Sequence, residues 1–271
     1  MLNRSREMPP HPEQYEALTR GQRMMGRAFA EQPSEANPPD ALLSAADGGG
    51  RKLRLLRHGW ACRMRHLHDG RRSMLDLYLP GDLIGLDSLL RPPMASDAVV
   101  TLTPVVCYAL SGRPLDVALQ QHEILLYVLD AADAERRRLE HLALSLSRCA
   151  AEERIAMMLL GLYRRLRRRQ LVSARSFRLP LTQQEIADHV GLTVVHVNRV
   201  LGRLRRSGIA LVHHKTVVLQ DLAALCRVAG EDETEAAADG APPPAERDAA
   251  AASAKAGGAA ADFRPLNLSA V

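Results

Sequence analysis

Residues 181–200, LTQQEIADHVGLTVVHVNRV, hold the densest set of chemically directed side chains in the sequence. Val194, Val195, Asn198 and Arg199 recur at a spacing that shares one side of a helix opening at Thr193. Such a set can read base edges in a DNA groove. A guanidinium spans O6 and N7 of guanine, a carboxamide pairs with adenine or a phosphate, and valine methyls pack on the C5-methyl of thymine. Thr182, His196, Arg203 and Lys215 are candidate phosphate contacts beside them. The competing assignment for Val194 and Val195 is packing on a neighbouring helix. His196 reads as a neutral polar contact rather than a switch or a metal ligand.

The elements that must position this set are legible around it. Thr182-Gln183-Gln184-Glu185 is a capping box, in which hydroxyl and carboxylate satisfy each other's orphan backbone donors. Ile186, Ala187 and Val190 form the inner face of a short helix, and Ala187 is small enough for a second helix to cross close by. Gly191 stands where a left-handed turn residue is wanted, Leu192 plugs the turn, and Thr193 caps the next helix. Val197, Val200, Leu201 and Leu204 supply that helix's buried stripe, and Ser207-Gly208 stops it. This spacing predicts a helix-turn-helix. IALVHHKTVVLQDL, two β-branched runs about His213-His214-Lys215, predicts a hairpin wing beside it.

Charge follows the same geography. Residues 164–215 carry twelve Lys and Arg against Glu185 and Asp188, a net of +10 in a chain whose total is +5. Residues 230–271 carry eight acids against three bases, a net of −5, in an Ala/Pro/Gly-rich composition that predicts a disordered acidic tail. The basic stretch calls for a polyanion partner, with a solvated face as the plain alternative, and the tail is a candidate competitor for it.

Upstream, Leu125, Leu129, Ala132, Leu139, Leu142 and Leu146 form one apolar stripe, interrupted by Arg136, near the 3.5-residue repeat of a two-helix seam. Its charged flanks favour a seam between two copies over packing within one domain. Before it, LRLLRHG, WACRMRHLH, MLDLYL and AVVTLTPVVCYAL have the rhythm of short strands. Asp69-Gly70 and Pro80-Gly81-Asp82 mark turns, which predicts a compact β-roll. The fold class expected is α+β. Residues 1–50 form an N-terminal extension, partly disordered, with a modest helix in PEQYEALTRGQRMMGRAFAEQ and linker in EQPSEANPPD. Residues 51–111 form the roll, 112–150 the dimerisation-helix region, 151–229 the winged helix-turn-helix, and 230–271 the tail.

From these residues the chain resembles the Crp/Fnr family of bacterial transcription regulators. GWACRMRHLHDGRRSMLDLYLPGDLIGLDSLL (59–90) is similar to its cyclic-nucleotide-binding-type roll, and residues 181–209 to its DNA-binding segment; the likeness spans roughly residues 51–228. The family's cyclic-AMP contacts, a Glu soon after the PGD turn and an Arg-Ser pair some ten residues on, fall at Leu86 and at Ser96-Asp97. Cyclic-nucleotide binding by the usual contacts is therefore not expected. The clustered N-terminal cysteines of the iron–sulfur members are missing, and His58, His66 and His68 read as solvent-facing rather than haem-binding. The roll looks shortened, because only KLRLLRH precedes the GWA segment. The recognition helix departs as well: Val194, Val195 and Asn198 replace the usual residues and Arg199 keeps the shared arginine, so a different target sequence is expected.

The resulting expectation is a homodimeric regulator on a palindromic operator, with double-stranded DNA, a second copy of itself and RNA polymerase as partners. The alternative is a small-molecule sensor whose roll binds an effector other than a cyclic nucleotide. No cofactor, metal or enzyme motif is expected. Cys62, Cys107, Cys149 and Cys226 lie more than 40 residues from one another, too far apart for a local metal or redox motif. No apolar run reaches the ~20 residues that cross a bilayer, and with no signal peptide legible the cytoplasm is the expected location.

Overall fold

The computed structural model describes residues 12–43, 50–66, 68, 70, 72–90 and 97–231. Helix α1 (Pro12–Ala30) leads into seven strands: β1 (Ser34–Asn37), β2 (Lys52–His58), β3 (Ala61–His66), β4 (Arg72–Tyr78), β5 (Leu83–Ile84), β6 (Asp97–Thr101) and β7 (Val105–Ser111). They form two antiparallel sheets, in the orders β1-β7-β2-β5 and β4-β3-β6. Helices α2 (Gly112–Leu119), α3 (His122–Arg148) and α4 (Ala151–Arg168) follow. The described residues continue with β8 (Ser176–Arg178), α5 (Gln183–Val190), α6 (Val194–Arg206), β9 (Ala210–His213), β10 (Thr216–Leu219) and α7 (Leu222–Ala229). The architecture is the expected α+β one: a roll, a long helix and a winged helix-turn-helix.

Three expectations need correction. The roll is not shortened at its front, because the segment read as linker supplies β1, which pairs with β7 from Ser34↔Tyr108 to Asn37↔Val105. Its Ser-Glu-Ala-Asn sequence has no apolar alternation. It is an edge strand held by backbone pairing and by Glu35, whose carboxylate takes Lys52 at 3.0 Å and Arg54 at 3.2 Å. Second, AVVTLTPVVCYAL is two strands, not one. Pro104 lacks a backbone donor, and its carbonyl would lie 2.3 Å from a Cβ on Gly59, so the chain can turn here only past a glycine. Third, the wing has three strands, β8-β10-β9, rather than two. The turn expected at Asp69-Gly70 is described only at Gly70, which has φ 83°. Asp69 lies outside the described residues, as do residues 1–11 and the predicted tail from 232 onward.

Helix α1 is integral to the roll. Met25 and Phe29 are buried with Leu53, Leu110, Leu115, Ile124 and Val128. It crosses the first turn of α3 so closely that a Cβ on Gly21 would sit 1.9 Å from the Glu123 carbonyl oxygen. Helix α3 turns two faces to its surroundings. Ile124, Val128, Glu135 and Ser145 point inward. Along the predicted seam, Leu125, Leu129 and Leu146 are 42%, 56% and 37% exposed, and Ala132, Leu139 and Leu142 are half-buried. Among the described residues, nothing covers that stripe fully. No helix among the described residues is long and apolar enough to cross a membrane.

Candidate nucleic-acid interface

The reading module is assembled by local capping. Thr182 accepts from the Glu185 amide at 3.2 Å, and the Glu185 carboxylate accepts from the Thr182 amide at 2.6 Å, which closes the capping box on α5. Gly191 ends α5 in the left-handed region at φ 63°. Thr193 caps α6 by accepting from the His196 amide at 3.3 Å, and its hydroxyl lies 3.1 Å from His196 Nδ1. Val197, Val200 and Leu204 are fully buried beneath α6, and Leu201 packs against the same core.

The opposite face of α6 is open. Val195 is 66% exposed, and His196, Asn198 and Arg199 are exposed with it. Val194 is not: it is half-buried against the module's core. The two valines expected to face bases together therefore separate, because adjacent residues on a helix lie about 100° apart and one step carries the side chain from the exposed face towards the core. Arg203 is also engaged, its Nε 3.1 Å from Glu152 on α4. Thr182 is exposed at the front of α5 beside Gln183 and Gln184.

At the wing tip, His214 and Lys215 form a two-residue turn with φ of 46° and 60°, strained for residues bearing a Cβ by about 1–2 kcal/mol each. The pairing Thr216↔Arg178 sets exposed Arg178 next to Lys215. Sequence reading missed Arg178, because a three-residue strand with only Phe177 buried carries no periodic signal. The cationic surface thus includes Arg199, Arg205 and Arg206 on α6 and Arg178 and Lys215 on the wing, all exposed.

Two joints fix this module to the rest of the chain. At the end of α3, Arg154 donates to the carbonyls of Leu146 (3.0 Å) and Cys149 (2.9 Å), and more loosely to Val190 and Gly191 (3.4 and 3.5 Å). One guanidinium thereby ties the last turn of α3 to the turn before α6. A Cβ on Gly191 would lie 2.7 Å from Leu146 Cδ2, so the seam's last leucine touches the turn of the reading motif.

The second joint is with the roll. Trp60, Cys62, Met64, Met74, Leu77 and Leu79 share one hydrophobic core with α4 to α7. Arg72 Nε meets Asp188 of α5 at 2.8 Å, and His189 Nδ1 donates to the Met74 carbonyl at 3.1 Å. Arg165 donates to the Leu77 carbonyl at 2.8 Å and to Asp82 at 2.6 Å, while Arg169 pairs with Asp82 and donates to the Pro80 carbonyl at 2.7 Å. Burial alone would raise the Asp82 pKa, but the two guanidiniums outweigh it and hold the carboxyl at about 2. Burial lowers the pKa of His189, against the raising effect of its bond to Met74, and so keeps the ring neutral. Burial likewise pushes the Cys62 thiol up to about 12, which leaves it an unreactive packing group.

Between the roll and α3 the chain's own charges meet. Arg138 grips Asp76 bidentately, Arg63 reaches Glu135 at 2.8 Å and Asp87 at 3.1 Å, and Tyr78 donates to Glu135 at 3.3 Å. Leu86, where the resemblance to the family would put a nucleotide-binding Glu, is a buried apolar side chain. Asp97 begins β6, and Ser96 lies outside the described residues. His58, His66 and His68 are exposed. Among the described residues, no three His, Cys, Asp or Glu side chains are grouped to hold a metal ion.

Comparison with known proteins matches residues 153–228 to the Crp-like helix-turn-helix domain and residues 36–122 to the cyclic nucleotide-binding domain. Over 183 residues, 64% of this chain, it is 34% identical to the transcriptional activator protein FnrL of Cereibacter sphaeroides, covering 71% of that protein. Over 165 residues, 61% of this chain, it is 32% identical to an anaerobic regulatory protein of Pasteurella multocida, covering 60% of it. The chain thus spans about 60–64% of the length of the first curated relatives it matches. Among solved structures, FixK2 from Bradyrhizobium japonicum superposes with a TM-score of 0.64 at 25% identity, over 73% of this chain and 96% of that one.

Proposed function

We propose, from the premise that this chain belongs to the Crp/Fnr family of transcription regulators, that it binds DNA sequence-specifically as a homodimer on a roughly palindromic operator. The observation that carries this is the outward face of α6. Val195, Asn198 and Arg199 are exposed together on a helix whose every other apolar side chain is engaged by the core. An exposed valine at the front of a cationic helix fits a surface that offers methyl groups, which in a DNA major groove means thymine. Arg199 suits a purine edge, and Asn198 an adenine or a phosphate.

Thr182, Thr193, His196, Lys215 and, from the structure, Arg178 frame this face as backbone contacts. Arg203 joins them only by leaving Glu152, and Val194 supports the helix from below rather than touching a base. The uncovered stripe Leu125–Leu129–Ala132–Leu139–Leu142–Leu146 supports a second copy packed along α3. That places two reading helices on half-sites about one helical turn apart. The reading further implies a cytoplasmic location and RNA polymerase as the partner of the bound dimer.

A salt series tests it. With several cations per subunit on phosphates, duplex affinity falls by orders of magnitude between about 50 and 200 mM salt, with a log–log slope near −0.9 per phosphate contact. A flat response refutes DNA binding by this surface.

A further inference from the structure

Arg154 carries a charge that its own helix does not call for. It stands in the first turn and a half of α4, where a helix favours acids, and Glu152 and Glu153 supply them. A cation belongs at the other end of a helix, and Arg154 lies against two such ends at once. Its Nε and Nη2 donate to the carbonyls of Cys149 (2.9 Å) and Leu146 (3.0 Å), where α3 stops. Its Nη1 reaches the carbonyls of Val190 and Gly191 (3.4 and 3.5 Å), where α5 stops. Carbonyls in the last turn of a helix have no partner within it, so one guanidinium serves the termini of two helices from a third.

The same place is packed as well as bonded. A Cβ on Gly191 would lie 2.7 Å from Leu146 Cδ2. Glu152, two residues before Arg154, meets Arg203 of α6 at 3.1 Å. Gly191 comes two residues ahead of the Thr193 cap, so the direction in which α6 leaves the turn is set where α3 ends. A planar guanidinium presents its five donors in a fixed fork, and carbonyls from two helices hold that fork in one orientation.

We propose that Arg154 is a positioning residue that sets the half-site spacing the dimer accepts, by fixing the angle between the seam on α3 and the reading helix α6. This rests on the reading of α3 as the subunit seam and of α6 as the DNA-reading helix. In a twofold dimer, the accepted spacing is as narrow as the joint between seam and reading helix is stiff. One added base pair moves the half-sites apart by about 3.4 Å and rotates them by about 35°. Shared between two subunits, each α6 must shift by about 1.7 Å and turn by about 17°. A fork bonded to both helix ends resists that movement, and without it the module yields. The bases read and the phosphates held stay the same, because Arg154 faces carbonyls of its own chain.

The test compares the full chain with Arg154→Ala and Arg154→Lys, with circular dichroism and sedimentation equilibrium as checks of fold and dimer. Arg154→Lys keeps a cation on a long stem but replaces the fork with one ammonium, and it serves if Arg154→Ala does not fold. Each protein is titrated by fluorescence anisotropy with a selected operator, with that operator lengthened or shortened by one base pair at its centre, and with a random duplex. The parent is expected to bind either altered operator about 10-fold or more weakly, the size of a lost base contact. Both variants lose less than about 3-fold on the altered operators, bind random duplex as the parent does, and keep its salt slope. Arg148→Ala, which removes an exposed cation from the last turn of α3, retains the parent's preference. Folded, dimeric variants that keep the parent's penalty overturn the proposal. So do a parent indifferent to spacing, equal relaxation by Arg148→Ala, a variant weakened equally on every duplex, or loss of fold or dimer in both variants. A parent that does not prefer its selected operator to random duplex instead overturns the underlying DNA-binding reading.

Discussion

The uncovered stripe on α3 yields a quantitative prediction for Leu129→Ala. Fully burying a leucine contributes about 1.5–3 kcal/mol. Leu129 retains 56% of its exposure in the single chain, so roughly half of that is left for a partner, about 1–1.5 kcal/mol. A twofold seam contains the residue twice, so the dimer loses about 2–3 kcal/mol, or roughly 30–150-fold in its dissociation constant at 1.4 kcal/mol per tenfold. The monomer is little affected, because the side chain already faces outward. Sedimentation equilibrium of both proteins, with circular dichroism as the folding check, measures this. Operator affinity falls with it at protein concentrations below the new dimer constant. A variant whose dimer constant lies within threefold of the parent, with its fold intact, refutes the assignment of this stripe to the subunit interface.

Asp82→Asn removes the carboxylate between Arg165 and Arg169 and leaves buried guanidiniums uncompensated, so unfolding free energy at neutral pH drops by about 3–5 kcal/mol in a denaturant melt. Because its folded pKa of about 2 lies below the ordinary 3.8, Asp82 contributes about 2–3 kcal/mol that is fully present above pH 3.8 and lost as pH falls through 2. The variant's acid limb is correspondingly flatter. His189 acts in a different window. Its folded pKa lies below 6.5, so the unfolded chain binds the extra proton first, and stability declines as pH drops below 6.5 towards the folded value. His189→Gln, which keeps a donor for the Met74 carbonyl, shows a smaller fall in melting temperature between pH 7.5 and 5.5; an unchanged fall contradicts the assignment. Gly191→Ala meets both φ 63° and a 2.7 Å approach to Leu146 Cδ2, and costs about 1–2 kcal/mol of stability, with weaker operator binding.

What the sequence disclosed and what it hid divides along physical lines. The reading motif was legible because its signals are local. Thr182, Glu185, Gly191 and Thr193 act within a few residues of themselves, and each stands in the structure with the cap or turn geometry its type demands. The stripe on α3 was legible because a helix repeats its faces. Strands β1 and β8 were not, since Ser34–Asn37 and Ser176–Arg178 form by pairing with β7 and β10 rather than by alternation of their own. The joint between roll and reading module was invisible for the same reason. Arg72 and Asp188 are 116 positions apart, and nothing near either names the other. The partition of Val194 from Val195 turns on a single helical step, finer than any periodicity argument resolves.

The most direct measurement is selection of bound duplexes from a random pool by the full-length chain and by Arg199→Ala in parallel. The account predicts an inverted repeat with half-sites about one turn apart, thymine enriched at one position per half-site, and one guanine position that loses its preference in the variant, at a cost of about 1–3 kcal/mol. An unenriched pool, or a consensus that survives Arg199→Ala unchanged, contradicts the claim that the exposed face of α6 reads bases.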